Sequence, residues 1–226
     1  EGAKLKVVTH NRPLASKNRL EIIKADLTKL EDCEAASSGQ EVILNFAALD
    51  GGREYKSQNS LKIFLNNLKI NLNLLEAAKR QKVKKILLIS SQEIYSLGDP
   101  NRDKTKRYRS FSTSPDGYAW SKKITELMAK IYYFNQGLVT IVIRPGNLYG
   151  PNDQNGTNRN RVIPLFIIKA LTNEKINVYS SQKYSFLYVK DFCSVVLKEV
   201  EEAESFEVLN LSSSKYYTLI SIAKLI

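Results

Sequence analysis

The residues most suited to chemistry are a tyrosine and a lysine, Tyr118 and Lys122, which stand four positions apart in the segment Tyr-Ala-Trp-Ser-Lys. On a helix, residues with this spacing share a face, so the phenol and the ammonium are expected to project to the same side. A free tyrosine ionises near pH ~10 and is a poor base at neutral pH, but a neighbouring cation lowers its pKa. The pair is therefore a candidate for proton exchange with a substrate hydroxyl.

Ser91 and Glu93 are the next candidates, because they follow the compact apolar run at residues 84–90. Such a run predicts a strand buried on both faces, and ligands of doubly wound sheets bind at the carboxyl ends of the strands. A serine hydroxyl at that place can bond a substrate oxygen, and a glutamate can act as an acid or a base. The pattern leaves two alternatives open, in which Ser91 satisfies nearby backbone and Glu93 is a solvated loop carboxylate.

Strands and helices are expected to alternate along the whole chain. Apolar runs predict strands at residues 4–9, 20–24, 41–46, 84–90, 139–144, 176–179, 185–189 and 206–211. Helical spacing of apolar residues predicts helices at 27–36, 61–75, 118–136, 162–172 and 191–202, with another starting at Thr218. This alternation predicts an α/β fold, a Rossmann-like doubly wound parallel sheet with helices on both faces.

Several short motifs occur in a fixed order. They are Asp26-Leu27, Asn45-Phe46-Ala47-Ala48, the helix segment that begins Asn67-Leu-Lys-Ile-Asn, Ser90-Ser91 before Ile94-Tyr95, the Tyr118/Lys122 pair, Arg144-Pro145-Gly146-Asn147, and Phe186-Leu-Tyr-Val-Lys-Asp191. In this order and spacing they resemble the extended short-chain dehydrogenase/reductase family, in particular its NAD-dependent nucleotide-sugar epimerases and dehydratases. The resemblance covers nearly all 226 residues and begins after that family's first strand and helix.

The resemblance implies a role for each motif residue. Tyr118 would be the catalytic acid/base, Lys122 would tune it and hold the nicotinamide ribose, and Ser91 would orient the sugar hydroxyl. Asn147 would contact the nucleotide sugar, and Glu93 stands where dehydratases and decarboxylases of the family carry an acidic residue. The expected cofactor contacts are Asp26, Leu27, Ala47, Ala48, Asn67, Tyr118, Lys122 and Pro145.

The implied reaction begins with hydride transfer from the sugar to bound NAD(P)⁺, which gives a transient 4-keto sugar. Return of the hydride on the other face would make the protein an epimerase, and loss of water would make it a dehydratase. Epimerisation is slightly favoured on family frequency, and Gln92 replaces the aspartate that some dehydratases place beside the glutamate. The alternatives are a decarboxylase or reductase of the same family and a non-catalytic dinucleotide-binding protein.

Three positions depart from the family pattern. Tyr184 stands where the family has an arginine that binds the pyrophosphate, and a tyrosine supplies no charge there. Ser96 replaces a family glycine. After the first strand, where NAD-preferring members carry an acidic residue, the chain has His10-Asn11-Arg12. Since Arg12 would suit a 2′-phosphate, NAD is the expected cofactor and NADP is the alternative.

The expected division is a cofactor-binding region at residues 1–145 and a substrate-binding region at 146–226, with 206–211 returning to the main sheet. No G-x-G-x-x-G loop occurs in the chain, although the fold normally places one after its first strand to hold the cofactor phosphates. The first strand and the glycine-rich loop are therefore expected to precede residue 1. The substrate-binding region is expected to continue beyond residue 226.

Composition narrows the class of partner. The net charge of +11 favours anionic ligands, but the basic residues are dispersed apart from 102–109 and form no nucleic-acid motif. No apolar run reaches the roughly 18 residues of a membrane span. The two cysteines fit a reducing cytoplasm, and no Cys/His cluster has metal-ligand spacing. The expected partner is a nucleotide-sugar substrate, and a homodimer is left open.

Overall fold

Parallel strands covered by helices make up the computed structural model, which describes residues 3–11, 20–96, 116–153, 161–178 and 180–226. Its strands are β1 (Leu5–Thr9), β2 (Leu20–Lys24), β3 (Val42–Asn45), β4 (Lys85–Ile89), β5 (Val139–Pro145), β6 (Asn147–Tyr149), β7 (Lys183–Tyr188), β8 (Glu207–Leu211) and β9 (Tyr216–Thr218). Its α-helices are α1 (Leu30–Ser37), α2 (Arg53–Gln58), α3 (Ser60–Arg80), α4 (Gly117–Gln136), α5 (Val162–Leu171), α6 (Val189–Glu202) and α7 (Leu219–Leu225). A 3-10 segment, Gln92–Ser96, follows β4. None of the helices in these ranges is both long and apolar enough to cross a membrane.

The central feature is a four-stranded parallel sheet in the order β3-β4-β5-β8. Leu44 pairs with Leu87 and Leu87 pairs with Ile141, so the carboxyl ends of the strands meet at one edge. β8 joins β5 in parallel, which brings the chain back to this sheet after β6 and β7. β1 and β2 form a separate parallel pair, and no described strand links β1 to β3. The parallel α/β architecture confirms the predicted fold class.

Both faces of the sheet are buried, because alternate residues of its strands enter different cores. Ile86 and Leu88 of β4 pack with residues of α1, α3 and α4, whereas Leu87 packs with Phe192 and Val196 of α6. All three β4 side chains are fully buried. This two-sided burial explains why the β4 segment is an uninterrupted apolar run.

Two predicted elements differ from the structure. Residues 176–178 form no strand, because no strand of the described residues pairs with them, and position 179 lies outside those residues. The helix predicted from residue 27 begins only at Leu30. The Asp26 carboxylate accepts hydrogen bonds from the backbone and the hydroxyl of Thr28, so a turn replaces the first helical turn. Arg12 and residues 102–109 lie outside the described residues.

A second, three-stranded sheet stands beside the main one. β6 pairs in parallel with β7, and β7 pairs antiparallel with β9. Asn147, Tyr184 and Phe186 all belong to this sheet. It therefore carries several of the motif residues predicted for the substrate-binding region.

Helix α4 is fixed at both ends by glycines with different constraints. Gly117 donates its backbone N–H to the Ser60 hydroxyl at 2.9 Å, and a Cβ at Gly117 would lie 2.1 Å from the Ser60 carbonyl oxygen. Only glycine therefore lets the start of α4 come this close to the start of α3. Gly137 ends the helix as predicted, with a left-handed φ of 69° and open space around its Cα.

This contrast predicts different outcomes for two glycine-to-alanine changes. Gly117→Ala should destabilise the protein by ~1–3 kcal/mol, since backbone must move to admit the methyl group. Gly137→Ala should cost about 1 kcal/mol through its left-handed conformation alone. Urea unfolding measures both costs, and the native fluorescence of Trp120, the single tryptophan, reports displacement of the start of α4. An unchanged Trp120 spectrum in Gly117→Ala would contradict the close packing.

Candidate active site

Several candidate residues lie together at the carboxyl edge of the strands. Ala47 and Ala48 follow β3, Ser91 follows β4, and Pro145 ends β5. Asp26 occupies the corresponding position after β2. Within the main sheet, the parallel pairing of β3, β4 and β5 brings Ala47, Ala48, Ser91 and Pro145 to one edge, which is where ligands of doubly wound sheets bind.

Tyr118, Ser91 and Lys122 meet at this edge. Tyr118 is in the first turn of α4, whose first free N–H groups donate to the Asp116 carboxylate at 3.0 and 3.1 Å. The Ser91 hydroxyl lies beside the Tyr118 side chain and acts to lower its pKa. The Lys122 ammonium donates to the Ile89 carbonyl oxygen at 2.6 Å and lies 5.5 Å from the centre of the Tyr118 ring. The helical cap and the end of β4 thus hold a phenol, a hydroxyl and an ammonium in one group.

Burial dominates the electrostatics of this group. It raises the pKa of Tyr118 above its ordinary value, and the charges of Asp50 and Glu93 raise it further. Burial also lowers the pKa of Lys122 to about 8. Removing both groups from water disfavours both charged forms, and for Tyr118 this outweighs the lowering of the pKa that was expected from the neighbouring lysine.

Glu93 is exposed and takes part in an ion pair that the sequence did not suggest. The Lys56 ammonium of α2 lies 2.8 and 2.9 Å from the two Glu93 carboxylate oxygens and 3.2 Å from Asp50. The same ammonium stands 3.7 Å from the centre of the Tyr118 ring. Because Lys56 is 62 positions from Tyr118 in the sequence, no local spacing points to this contact.

A buried ion pair lies directly behind the site. The Arg144 guanidinium donates to both carboxylate oxygens of Glu126 at 2.8 and 2.5 Å, and the Ser90 hydroxyl donates to Glu126 at 2.5 Å. Arg144 also donates to the Tyr95 hydroxyl at 2.7 Å, and Tyr95 donates to the Asn210 side chain at 2.5 Å. Although burial by itself lowers the pKa of Arg144, the hydrogen bonds and charge of Glu126 raise it. Tyr118, Lys122 and Glu126 are spaced by four, a signal that could have identified Glu126 in advance.

Asn67 is completely buried, and its side-chain amide forms hydrogen bonds with the backbone of the loop after β3. Its amide oxygen accepts from the Leu49 N–H at 2.7 Å, and its amide nitrogen donates to the Leu49 carbonyl at 3.0 Å. Asn71 accepts from Asn45 at 2.9 Å and donates to the Asn67 carbonyl at 2.8 Å. Asn45 in turn accepts from the Ala47 N–H. The side-chain amides of Asn45, Asn67 and Asn71 therefore fix the conformation of the loop at residues 47–49.

Asp26 and Leu27 follow the end of β2, which belongs to a different sheet from β4. The hydrogen bonds from Thr28 lower the pKa of the half-buried Asp26 carboxyl. The Leu27 side chain packs against the core that contains Cys33, and its carbonyl accepts from Asn73 at 3.2 Å. His10 is exposed just beyond β1. The residues after β2 thus place a carboxylate, Asp26, next to an apolar side chain, Leu27.

Asn147 and Tyr184 occupy the second sheet. The exposed Asn147 donates its side-chain amide to the Ser185 carbonyl at 3.0 Å. The Tyr184 hydroxyl is within 3.3 Å of the Ser180 hydroxyl and brings no positive charge. Nearby, a cavity of about 360 Å³ is lined by Tyr149, Pro151, Tyr188 and the apolar side chains of α5. In the described ranges no group of three or more His, Cys, Asp or Glu residues could hold a metal ion.

Known proteins are similar to this chain in sequence. Residues 1–212 match the sequence model of the NAD dependent epimerase/dehydratase family. A dTDP-4-dehydro-6-deoxy-D-allose reductase of a Streptomyces species is 28% identical over 221 residues, which cover 94% of this chain and 68% of that protein. A UDP-N-acetyl-alpha-D-glucosaminuronate decarboxylase of Bacillus cytotoxicus is 29% identical over 188 residues, which cover 81% of this chain and 57% of that protein.

The similarity extends to three dimensions. The UDP-N-acetylglucosamine 4-epimerase of Methanobrevibacter ruminantium, solved in complex with UDP-N-acetylmuramic acid, matches with a TM-score of 0.83 at 27% identity. The match covers 98% of this chain and 73% of that chain. The relatives thus include a reductase, a decarboxylase and an epimerase. With a family match over nearly its whole length, this chain belongs to the NAD-dependent epimerase/dehydratase family of enzymes, as the order of its motifs predicted.

Proposed function

We propose that this protein remodels a nucleotide-activated sugar through a transient 4-keto sugar, with NAD as the hydride acceptor and epimerisation as the overall reaction. The observation that carries the proposal is the meeting of three groups at the strand ends: Tyr118, Ser91 after β4, and the Lys122 ammonium 5.5 Å from the centre of the Tyr118 ring. A tyrosine, a serine hydroxyl and a cation at the strand ends can remove the proton of a sugar hydroxyl while a hydride leaves the carbon that bears this hydroxyl.

The residues at the strand ends fit a dinucleotide. Asp26 and Leu27 offer a carboxylate and an apolar side chain for the adenosine end. Ala47 is exposed and small, so its loop permits close approach of a flat ring. Lys122 can donate to the nicotinamide ribose with the N–H groups that Ile89 does not use. Asn67 would support cofactor binding indirectly, because its side chain holds the loop that contains Ala47 and Ala48.

Each residue has a separate task in the mechanism. Bound NAD⁺ supplies the hydride acceptor. Ser91 accepts or donates the hydrogen bond that orients the sugar hydroxyl, and Tyr118 takes its proton. Tyr118 must therefore be a phenolate before it takes the proton, and Lys122 stabilises that phenolate by its charge. Reversal of these steps returns the proton when the hydride comes back to the sugar.

Glu93 bears on the choice among the family reactions. Its carboxylate oxygens are both engaged by Lys56, so its use as a general acid for water loss would require that ion pair to open. This favours reactions that need only Tyr118, namely epimerisation and reduction. Reduction is the second candidate, because reductases of two Streptomyces species are 28% and 27% identical to this chain.

The substrate is proposed to lie between the main sheet and the second sheet. Asn147 and Tyr149 belong to β6 of the second sheet, and Tyr149 and Tyr188 line the cavity. This agrees with a cofactor-binding region at 1–145 and a substrate-binding region at 146–226. NADP remains the alternative cofactor, and a cytoplasmic setting stays a prediction.

Product analysis with a panel of UDP-, dTDP- and GDP-sugars tests the proposed function. An epimerase should convert one sugar to its 4-epimer with no net change in NADH, whereas a reductase should consume NAD(P)H.

Tyr118→Phe should lower turnover by ~10²–10⁴-fold and leave NAD affinity nearly unchanged. Mass spectrometry and NMR identify the products, and calorimetric titration measures NAD binding. Equal turnover of Tyr118→Phe and the wild type would exclude the mechanism.

The pKa of Lys122 predicts how stability depends on pH. Burial lowers it to about 8 from 10.5, with Asp50 and Glu93 raising it and Lys56 lowering it. Between these values the unfolded chain binds the proton and the folded protein does not, so this group makes the free energy of unfolding rise with pH. Relative to Lys122→Met, the wild type should gain up to ~1.4 kcal/mol per pH unit above about pH 8. Urea unfolding at a series of pH values measures the difference, and a flat difference would contradict the prediction.

We also propose that the protein is a homodimer. Leu61, Leu65 and Leu72 form an exposed apolar stripe on α3, and Leu127, Ile131 and Phe134 form one on α4. These two helices pack against each other, and a second copy of the pair would cover both stripes.

Charge placed in the stripe should therefore disrupt the dimer. Ile131→Lys should shift the protein to monomers in analytical ultracentrifugation, because a lysine there would be buried without a partner. Gln136→Lys adds the same charge to the same helix at an exposed position outside the stripe and should leave the dimer intact. A monomeric wild type would refute the interface.

A further inference from the structure

Lys56 is placed against the candidate acid/base although none of the family motifs includes it. Its ammonium stands 3.7 Å from the centre of the Tyr118 ring, closer than the 5.5 Å of Lys122. It also contacts Glu93 at 2.8 Å and Asp50 at 3.2 Å. The Lys56 side chain is 17% exposed, so the contact is largely screened from water.

Helix α2 and the loop before it determine this position. Asp50 lies in the loop that the Asn67 amide fixes through Leu49, and Glu93 lies in the 3-10 segment after β4. Lys56 is therefore held by two carboxylates from different elements, with its charge directed onto the ring face. Ammonium ions are attracted to the negative face of an aromatic ring, and the attraction grows when the site is shielded from water.

We propose that Lys56 is a positioning residue of the proposed reaction, whose ammonium stabilises the phenolate form of Tyr118 that accepts the proton of the sugar hydroxyl. The inference rests on the proposed acid/base function of Tyr118. A phenolate ring carries more negative charge on its face than a phenol ring, so a cation above it favours the ionised form. The proton that moves is that of the sugar hydroxyl, which passes to the Tyr118 oxygen.

The negative charges around Tyr118 disfavour its phenolate, and a second cation beside Lys122 can offset them. Asp50 and Glu93 each raise the pKa of Tyr118, after the larger effect of burial, and Arg161 at the start of α5 lowers it. Lys122 approaches from α4, and burial and Lys56 both lower its pKa. Lys56 lies between the two carboxylates and the phenol, so its loss would expose Tyr118 to two uncompensated negative charges.

The pH dependence of turnover tests this role in the full protein with NAD and its sugar substrate. Lys56→Met should move the limb that reports Tyr118 ionisation upward by about one pH unit. Lys56→Arg keeps a cation that can lie on an aromatic ring, so it should restore the profile for the most part. Lys62→Met removes one positive charge at an exposed position of α3 and should leave the profile unchanged.

A second substitution separates charge from structure. If Lys56 acts by compensating the carboxylates, Asp50→Asn in the Lys56→Met background should move the limb back toward the wild-type position. A purely structural role of Lys56 would not be relieved by removing a negative charge. A double variant whose limb stays with that of Lys56→Met would overturn the electrostatic account.

Direct titration of the phenol distinguishes failure of this inference from failure of the proposed function. A fluorinated tyrosine placed at position 118 ionises at lower pH than tyrosine, and its phenolate absorbance can be followed without substrate. Lys56→Met should raise its midpoint and Lys62→Met should not. An unchanged midpoint refutes the Lys56 proposal even if the enzyme is active. A raised midpoint in a protein that converts no nucleotide sugar upholds the coupling and refutes the proposed function.

Discussion

The buried ion pair between Glu126 and Arg144 is the interaction on which the candidate site depends. Glu126 is 1% exposed, and its two oxygens accept from Arg144 and Ser90, which end adjacent strands. Because Glu126 lies on the same helix face as Tyr118 and Lys122, the carboxylate anchors their helix to the strand ends. Loss of one partner of such a pair leaves a buried charge uncompensated, at a cost of ~3–5 kcal/mol. The pair therefore favours one placement of α4 over the sheet.

The other constraints act around this anchor. Gly117 allows the start of α4 to approach Ser60 of α3, and the Asp116 cap directs its first turn. Asn67 in α3 then holds the loop after β3 that leads to Lys56. Burial created by this packing moves the pKa of Tyr118 up and that of Lys122 down. The tight packing that aligns the groups thus also opposes their charged forms, and nearby charges must offset that effect.

Much of this architecture could be predicted from the sequence because it follows local patterns. Apolar runs identified β4 and β5, Gly137 identified the end of α4, and the spacing of Tyr118 and Lys122 placed them on one face. The strand predicted at 176–179 failed because pairing depends on a distant partner, which an isolated pattern does not contain. The fall of the Tyr118 pKa was expected from its neighbour Lys122, but burial is a property of the folded chain and reverses it. Lys56 could not be found for the same reason, since three separate elements bring it to Tyr118.

The residues of the site fall into two groups, according to whether the main sheet and a long helix or short surface elements hold them. Ser91, Tyr118 and Lys122, which are proposed to carry out the oxidation shared by the family reactions, are held by the ends of β4 and α4 and by the buried ion pair. Asp50, Lys56 and Glu93 lie on a loop, a six-residue helix and a 3-10 segment. Short surface elements change sequence at little cost to the core, whereas the residues beneath them are constrained by packing. A family can therefore keep one oxidation step and vary the step that follows, and the Lys56–Glu93 pair lies where such variation would act.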